Sequence, residues 1–130
     1  MPRHQKKFLK YWFPVILYSG IIFYVSSLPN LEIPLVIAFS DKLAHAGEYA
    51  VLGFLVSRAL AATTRLSRKD IFLSAVALCV LYGTSDEFHQ IFVPGRDSSL
   101  GDLLADGIGA AGAGYFYTAW NRRTALRTTK

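Results

Sequence analysis

The sequence predicts an all-α membrane protein, a bundle of four transmembrane helices with both termini in the cytoplasm. Hydrophobic residues make up 52% of the chain and charged residues only 18%, whereas soluble domains carry about 25% charged residues. A soluble domain this small buries only about 60–70% of its unfolded surface, which is too little to hide so much apolar surface. At 130 residues we expect a single domain, residues 1–130.

Four segments approach the length of a transmembrane helix, which needs about 20 mostly apolar residues. They cover residues 11–28, 43–62, 71–93 and 100–120. The first carries no charge; it could also be a secretory signal, but its length and interfacial aromatic residues favour a retained helix. The stretch 29–40 is too short to span and is expected to lie at the membrane interface.

Basic residues set the orientation of this bundle. Twelve of the fourteen lie before segment one, around the turn between segments two and three, or after segment four, and only Lys42 and Arg96 fall on the other side. Acidic residues show the reverse pattern, with Asp70 alone on the basic side. Basic flanks remain in the cytoplasm, so both termini are expected there. These flanks lack any groove-reading motif, so the basic balance indicates contact with anionic lipid and excludes a nucleic-acid partner.

The ionisable residues of segments two, three and four gather at their outer ends. Three separate stretches of sequence therefore place polar side chains at one depth. A charged side chain costs about 2.5–3.5 kcal/mol at the centre of a membrane helix, so we expect these groups to converge on an outward-facing polar pocket. The predicted pocket residues are Asp41, His45, Tyr49, Asp86, Glu87, Gln90, Arg96, Asp102 and Asp106.

Three kinds of chemistry could use such a pocket. Acid–base or nucleophilic chemistry on a lipid-linked substrate would use His45, Asp86 or Glu87 as catalytic groups, with Arg96 holding a phosphate or carboxylate. In that case the substrate-binding residues would be Asp41, Tyr49, Gln90, Arg96, Asp102 and Asp106. Histidines and carboxylates could also hold zinc or manganese, but no HExxH spacing is present, so no metal ligand is assigned and no cofactor is identified.

Proton- or cation-linked transport is the third kind of chemistry, with carboxylates titrating in a half-buried site. The alternative to all three is a purely structural role, in which the polar side chains hold the helices together.

The single cysteine, Cys79, lies in an apolar run. One cysteine excludes an intramolecular disulfide and a cysteine-based metal site.

Three ordered motifs resemble the VanZ-like family of small bacterial integral membrane proteins, the teicoplanin-resistance-protein-like proteins. Residues 41–49, DKLAHAGEY, resemble the family pattern DK..H...Y, and residues 86–96, DEFHQIFVPGR, resemble DE..Q.f.pgR. Residues 102–109, DLLADGIG, resemble D...N..G, with Asp106 where the family usually has asparagine. Glu48 and His89 fall outside these signature positions.

The resemblance implies a bacterial inner-membrane protein with a role in the cell envelope, since the family's founding member is associated with low-level resistance to the glycopeptide teicoplanin. It transfers no reaction and does not decide whether the chain is an enzyme. Our leading hypothesis is an extracytoplasmic pocket that binds or modifies an anionic envelope lipid, a lipid-linked cell-wall precursor or an amphiphilic glycopeptide. Membrane lipids are the expected partners, and the oligomeric state stays open. The alternatives are a small transporter and a structural assembly factor.

Overall fold

The computed structural model describes residues 2–29, 40–96 and 98–127 of the chain. These residues form four helices: α1 (Arg3–Ser26), α2 (Ser40–Thr63), α3 (Arg68–Gln90) and α4 (Leu100–Arg127). No strand occurs in the described ranges, and the predicted all-α fold class is confirmed.

The helix ends differ from the predicted spans. α1 begins well before residue 11 and α4 continues past residue 120, because lysine and arginine are good helix formers and do not end a helix where the apolar run ends. Residues 30–39, with Glu32, and Asp97 lie outside the described residues, and so does most of the predicted interfacial stretch.

Two of the helices, α1 and α3, are long and apolar enough to cross a membrane by length and composition. The first halves of α2 and α4 carry ionisable residues, which makes both helices less apolar. Such helices are compatible with lipid only if their charged side chains face a neighbouring helix. Whether the bundle is compatible with lipid therefore depends on the polarity of its outer surface and not on the composition of any single helix.

The surface of the bundle is apolar and part of its interior is polar. Leu81, Leu100 and Ile108 are 68%, 80% and 70% exposed, whereas Asp86 and Asp106 are 4% and 1% exposed. A water-soluble protein has the opposite arrangement, because charged side chains are almost never fully buried there unless they are paired. Outward-facing apolar side chains on all four helices are what a lipid environment favours.

The largest interface between helices joins α2 to α4, which run parallel. A Cβ on Gly53 would lie 2.7 Å from the Cα atom of Ala110, and a Cβ on Gly109 would overlap the carbonyl oxygen of Ala46. Only glycine permits backbones to approach this closely, as in small-residue interfaces of membrane helices. This packing fixes the register of α2 against α4 and therefore sets the positions of the polar side chains near their beginnings.

The connection between α2 and α3 is short and ends in a capped helix. Ser67 precedes α3, and its hydroxyl accepts a hydrogen bond from the backbone N–H of Asp70 at 3.2 Å. That contact satisfies one of the unpaired donors in the first turn of the helix. A tight connection of this kind makes α2 and α3 antiparallel, so the end of α3 lies beside the beginning of α2.

We expect substitution of the buried glycines to weaken the bundle. Gly109→Ala should reduce the free energy of unfolding by about 1–3 kcal/mol, the usual cost of overpacking, because the new methyl group meets backbone atoms that cannot move aside. The measurement is SDS-induced unfolding in mixed micelles. Gly112→Ala on the same helix is the matched control, since its Cβ would meet nothing within 4 Å. Equal effects of the two substitutions would contradict the assigned helix interface.

Candidate functional site

All nine predicted pocket residues lie at the end of the bundle where α2 and α4 begin and α3 ends, which we call the polar end. We call the nine side chains together the polar cluster. Six of them are buried and three are half-buried. The buried members are Tyr49, Asp86, Glu87, Gln90, Asp102 and Asp106, and the half-buried members are Asp41, His45 and Arg96.

The centre of the polar cluster is a hydrogen bond between α2 and α4. Nδ1 of His45 lies 3.0 Å from Oδ1 of Asp106, and the two side chains are only 14% and 2% exposed. An ionised Asp106 can only accept a hydrogen bond, so opposite the ionised carboxylate the imidazole carries a proton on Nδ1. This contact orients the ring, and in the neutral imidazole it leaves Nε2 as the nitrogen that can accept a proton from another group.

A second polar pair lies one turn nearer the beginning of the same two helices. Nζ of Lys42 donates to Oδ1 of Asp102 at 2.8 Å, with the lysine side chain 43% exposed. Asp102 also accepts from the hydroxyl of Ser99 at 2.7 Å and returns a backbone N–H to it at 3.1 Å. Asp102 therefore serves partly as a helix-capping residue, as its place near the start of α4 suggests.

Glu87 of α3 completes the cap of α4 from outside that helix. Its Oε2 atom accepts the backbone N–H of Ser99 at 3.0 Å. Its other oxygen, Oε1, is buried and has no hydrogen-bond partner in the described part of the chain, and the same is true of the Tyr49 hydroxyl. Buried polar atoms without partners are uncommon, because each costs about 1–3 kcal/mol.

Asp86 links α3 to the end of α1. Its Oδ1 atom accepts the hydroxyl of Ser26 at 2.6 Å, and its Oδ2 atom accepts the amide of Gln90 at 3.3 Å. Ser26 was not among the predicted pocket residues. A single serine at the end of an uncharged apolar helix carries no signal in the sequence, and its role follows only from the packing of α1 against α3.

Arg96 anchors the same end of α1. Its guanidinium donates from Nη2 to the carbonyl oxygen of Val25 at 2.8 Å and from Nε to that of Leu28 at 3.3 Å. The final carbonyls of a helix have no partner within the helix, and a cation there is favoured by the helix dipole. Gly95, at φ 78°, adopts the left-handed conformation that the preceding turn requires.

A cavity of about 60 Å³ lies among α1, α2 and α3 at the polar end, large enough for one or two water molecules. Its polar lining comes from Ser26, Asp41, His45, Glu48, Asp86, Gln90 and Arg96. His89 lies to one side, with Nε2 at 3.0 Å from the Ser27 hydroxyl and its ring stacked on Phe23.

Two larger cavities, of about 500 and 590 Å³, contain none of the predicted pocket residues. The first lies beside Arg58, whose guanidinium is 4.8 Å from the centre of the Tyr11 ring. Arg58 is about 20 Å along α2 from His45, at a rise of about 1.5 Å per residue. These cavities therefore belong to the opposite, basic end of the bundle.

Within the polar cluster, two sets of three side chains bring nitrogen or oxygen ligand atoms within 4.8 Å of one another. One set is Asp41, His45 and Asp102, and the other is His45, Glu87 and Asp106. Both include His45, and the second draws one residue from each of three helices. The arrangement can therefore accept a proton at His45 or hold a cation between carboxylates.

Residues 6–121 match the family model described as VanZ/LLP1. The chain belongs to the VanZ/LLP1 family. The matched range contains every member of the polar cluster and most of all four helices. No curated protein and no solved structure gives a significant match to the chain.

This VanZ/LLP1 protein departs from the pattern it resembles at Asp106, which contacts His45. Asp106 stands where that pattern usually has asparagine, and it accepts the hydrogen bond from His45. An asparagine carbonyl oxygen could accept the same hydrogen bond, since both side chains carry an acceptor at that atom. The departure therefore preserves the geometry of the contact and adds a negative charge to it.

We expect Arg96→Ala to detach the end of α1. The lost hydrogen bonds come from a charged donor, and we expect the free energy of unfolding to fall by about 1–3 kcal/mol. SDS-induced unfolding in mixed micelles measures the change. Arg65→Ala, which removes an exposed arginine between α2 and α3, is the matched control and should have little effect. Indistinguishable unfolding curves for the two variants would contradict the anchoring role of Arg96.

Proposed function

We propose that this VanZ/LLP1 protein is a bacterial inner-membrane protein that holds the headgroup of an anionic envelope amphiphile at its polar end. The observation that carries the proposal is the convergence of nine polar side chains, from α2, α3, α4 and the loop before α4, on one end of a bundle whose sides are apolar. Intramembrane ionisable residues are rare and usually functional, because each is costly to place in lipid.

An amphiphile fits this end because apolar and polar surfaces adjoin there. Leu43, Phe88, Leu100 and Leu104 are 64–80% exposed and lie within one or two turns of the polar cluster. Acyl or polyprenyl chains could lie along these side chains while a phosphate- or carboxylate-bearing headgroup contacts the cluster. Anionic lipids, lipid-linked cell-wall precursors and amphiphilic glycopeptides all combine these two features.

We infer that the polar end lies outside the cell. Arg65, Arg68 and Lys69 lie at the opposite end, around the connection between α2 and α3. Basic connections stay in the cytoplasm, which supports cytoplasmic termini and an extracytoplasmic polar cluster.

His45 is the residue best suited to chemistry on a bound headgroup. Asp106 orients its ring, and its remaining nitrogen can accept a proton from water or from a ligand hydroxyl. Asp86 is held by hydrogen bonds from Ser26 and Gln90, and Glu87 is held by the backbone at the start of α4. Both carboxylates are therefore better suited to positioning a ligand than to transferring a proton during a reaction. Modification of the headgroup would therefore depend on His45.

The close packing of α2 against α4 counts against transport. Gly53, Gly109 and Ala110 bring the two backbones into contact through the middle of the bundle, leaving little room between these helices for a path to the cytoplasmic side. A purely structural role predicts that substitutions in the polar cluster reduce assembly, whereas a binding role predicts loss of ligand from a folded protein.

We expect cysteine accessibility to report the proposed orientation. In a Cys79→Ala background, Ser98→Cys should react with a membrane-impermeant maleimide in intact spheroplasts, because the polar end faces outward. Leu66→Cys, at the opposite end, should react only after permeabilisation. Both positions are exposed and lie in connections between helices, so each controls for the other. If only Leu66→Cys were labelled in intact spheroplasts, the proposed orientation would be wrong and the polar end would face the cytoplasm.

We expect His45→Ala to lose a co-purifying anionic amphiphile. The lost contact with a charged headgroup is worth about 1.5 kcal/mol or more, which corresponds to at least about a tenfold fall in ligand content. The measurement is mass spectrometry of lipids extracted from gently purified protein, normalised to protein amount. His4→Ala, at the exposed start of α1, is the matched control. If folded wild type and His45→Ala carry the same lipids in the same amounts, the proposal fails.

A further inference from the structure

Three helices bring potential metal ligands together at His45, Glu87 and Asp106. The ligand atoms of these side chains all lie within 4.8 Å of one another. The imidazole comes from α2 and the carboxylates from α3 and α4, and both carboxylate side chains are more than nine-tenths buried. The register of α2 against α4 sets the distance between two of the three ligands.

A second observation points to a ligand at this place. Glu87 is only 6% exposed, and its Oε1 atom has no hydrogen-bond partner in the described part of the chain. Burial removes this carboxylate oxygen from water, and without a new partner that burial is strongly unfavourable. A bound cation would provide the missing interaction. The Tyr49 hydroxyl, one turn after His45 on α2, is a second buried oxygen for which the described residues provide no hydrogen-bond partner.

We propose that His45, Glu87 and Asp106 bind one divalent transition-metal ion, Mn²⁺ or Zn²⁺. One imidazole and two carboxylates suit these ions, whereas Mg²⁺ and Ca²⁺ favour all-oxygen sites. Three protein ligands leave at least one coordination position for water or for an oxygen of a bound headgroup. These three side chains would hold the ion, and it would supply positive charge between the two carboxylates.

The alternative set, Asp41, His45 and Asp102, is less suited to a metal ion. Asp102 already pairs with the ammonium group of Lys42 at 2.8 Å and accepts the hydroxyl of Ser99. Its charge is therefore compensated within the protein. Among the described residues, Oε1 of Glu87 has no hydrogen-bond partner, whereas both carboxylate oxygens of Asp102 have one, and this difference favours the set containing Glu87.

The ion would also resolve a problem of charge in the proposed function, and this step alone rests on that function. The two described cations at the polar end are both engaged: Lys42 with Asp102, and Arg96 with two backbone carbonyls. An anionic headgroup would therefore approach a surface dominated by carboxylates. A divalent ion between the carboxylates and the headgroup supplies the missing positive charge.

The test uses the full-length protein in detergent, treated with EDTA and dialysed before titration with Mn²⁺ followed by electron paramagnetic resonance. We expect saturable binding of about one ion per chain in wild type, at least about tenfold weaker binding in Glu87→Gln and Asp106→Asn, and wild-type binding in Asp70→Asn. Asp70 is an exposed carboxylate at the opposite end of the bundle. Addition of Zn²⁺ then identifies the preferred ion, since either displacement or retention of Mn²⁺ presupposes the site.

Two results would overturn the metal site. One is the absence of saturable binding of either ion to wild type, and the other is unchanged affinity in Glu87→Gln. If the variants do not fold, pulsed measurements on wild type replace them: bound Mn²⁺ must show coupling to a histidine ¹⁴N nucleus, and its absence excludes His45 as a ligand. Metal binding without any co-purifying amphiphile would leave the ion in place and reject the proposed function. A co-purifying amphiphile without metal binding would do the reverse.

Discussion

The structure depends on one constraint, that ionisable side chains within a lipid-facing bundle must satisfy one another. His45 pairs with Asp106, Lys42 with Asp102 and Ser26 with Asp86, and each contact joins two different helices. In water such contacts would contribute little, since the same groups could be solvated separately. Between lipid-facing helices the alternative is an unpaired charge in a medium of low dielectric constant. The polar contacts therefore specify which helix faces lie together.

The same register serves both the packing and the polar contacts. α2 and α4 run parallel, and along them His45 meets Asp106, Ala46 meets Gly109 and Ser57 lies beside Gly114. A shift of either helix by one turn would break the hydrogen bond and force side chains into the backbone at the glycines. Two independent requirements thus select one arrangement, which gives a rigid base for the polar cluster.

α1 is held by different means. It contributes mainly apolar surface, and its end is fixed through Arg96, whose guanidinium binds the carbonyls of Val25 and Leu28, and through Ser26. Arg96, which the sequence predicted to bind a phosphate or carboxylate directly, therefore uses its guanidinium at least in part to hold α1 in place. The groups at the polar end that are left to interact with a headgroup are therefore the carboxylates and the histidine.

The sequence by itself determined the helical class, the approximate extent of the helices and the gathering of polar residues at one end. Apolar runs and basic flanks report these features directly, because hydrophobic length and charge are local properties of the chain. The family motifs likewise marked His45, Asp86, Glu87 and Asp102 before any contact was known.

Only the tertiary structure decided which of these residues touch. The pairing of His45 with Asp106, the capping of α4 by Glu87 and the participation of Ser26 depend on the rotation and register of whole helices. Those follow from close approach at Gly53 and Gly109. No local pattern encodes them. The contacts of His45 with Asp106 and of Ser26 with Asp86 join residues about 60 positions apart in the chain, and all three contacts arise only when packing of the complete bundle selects one arrangement.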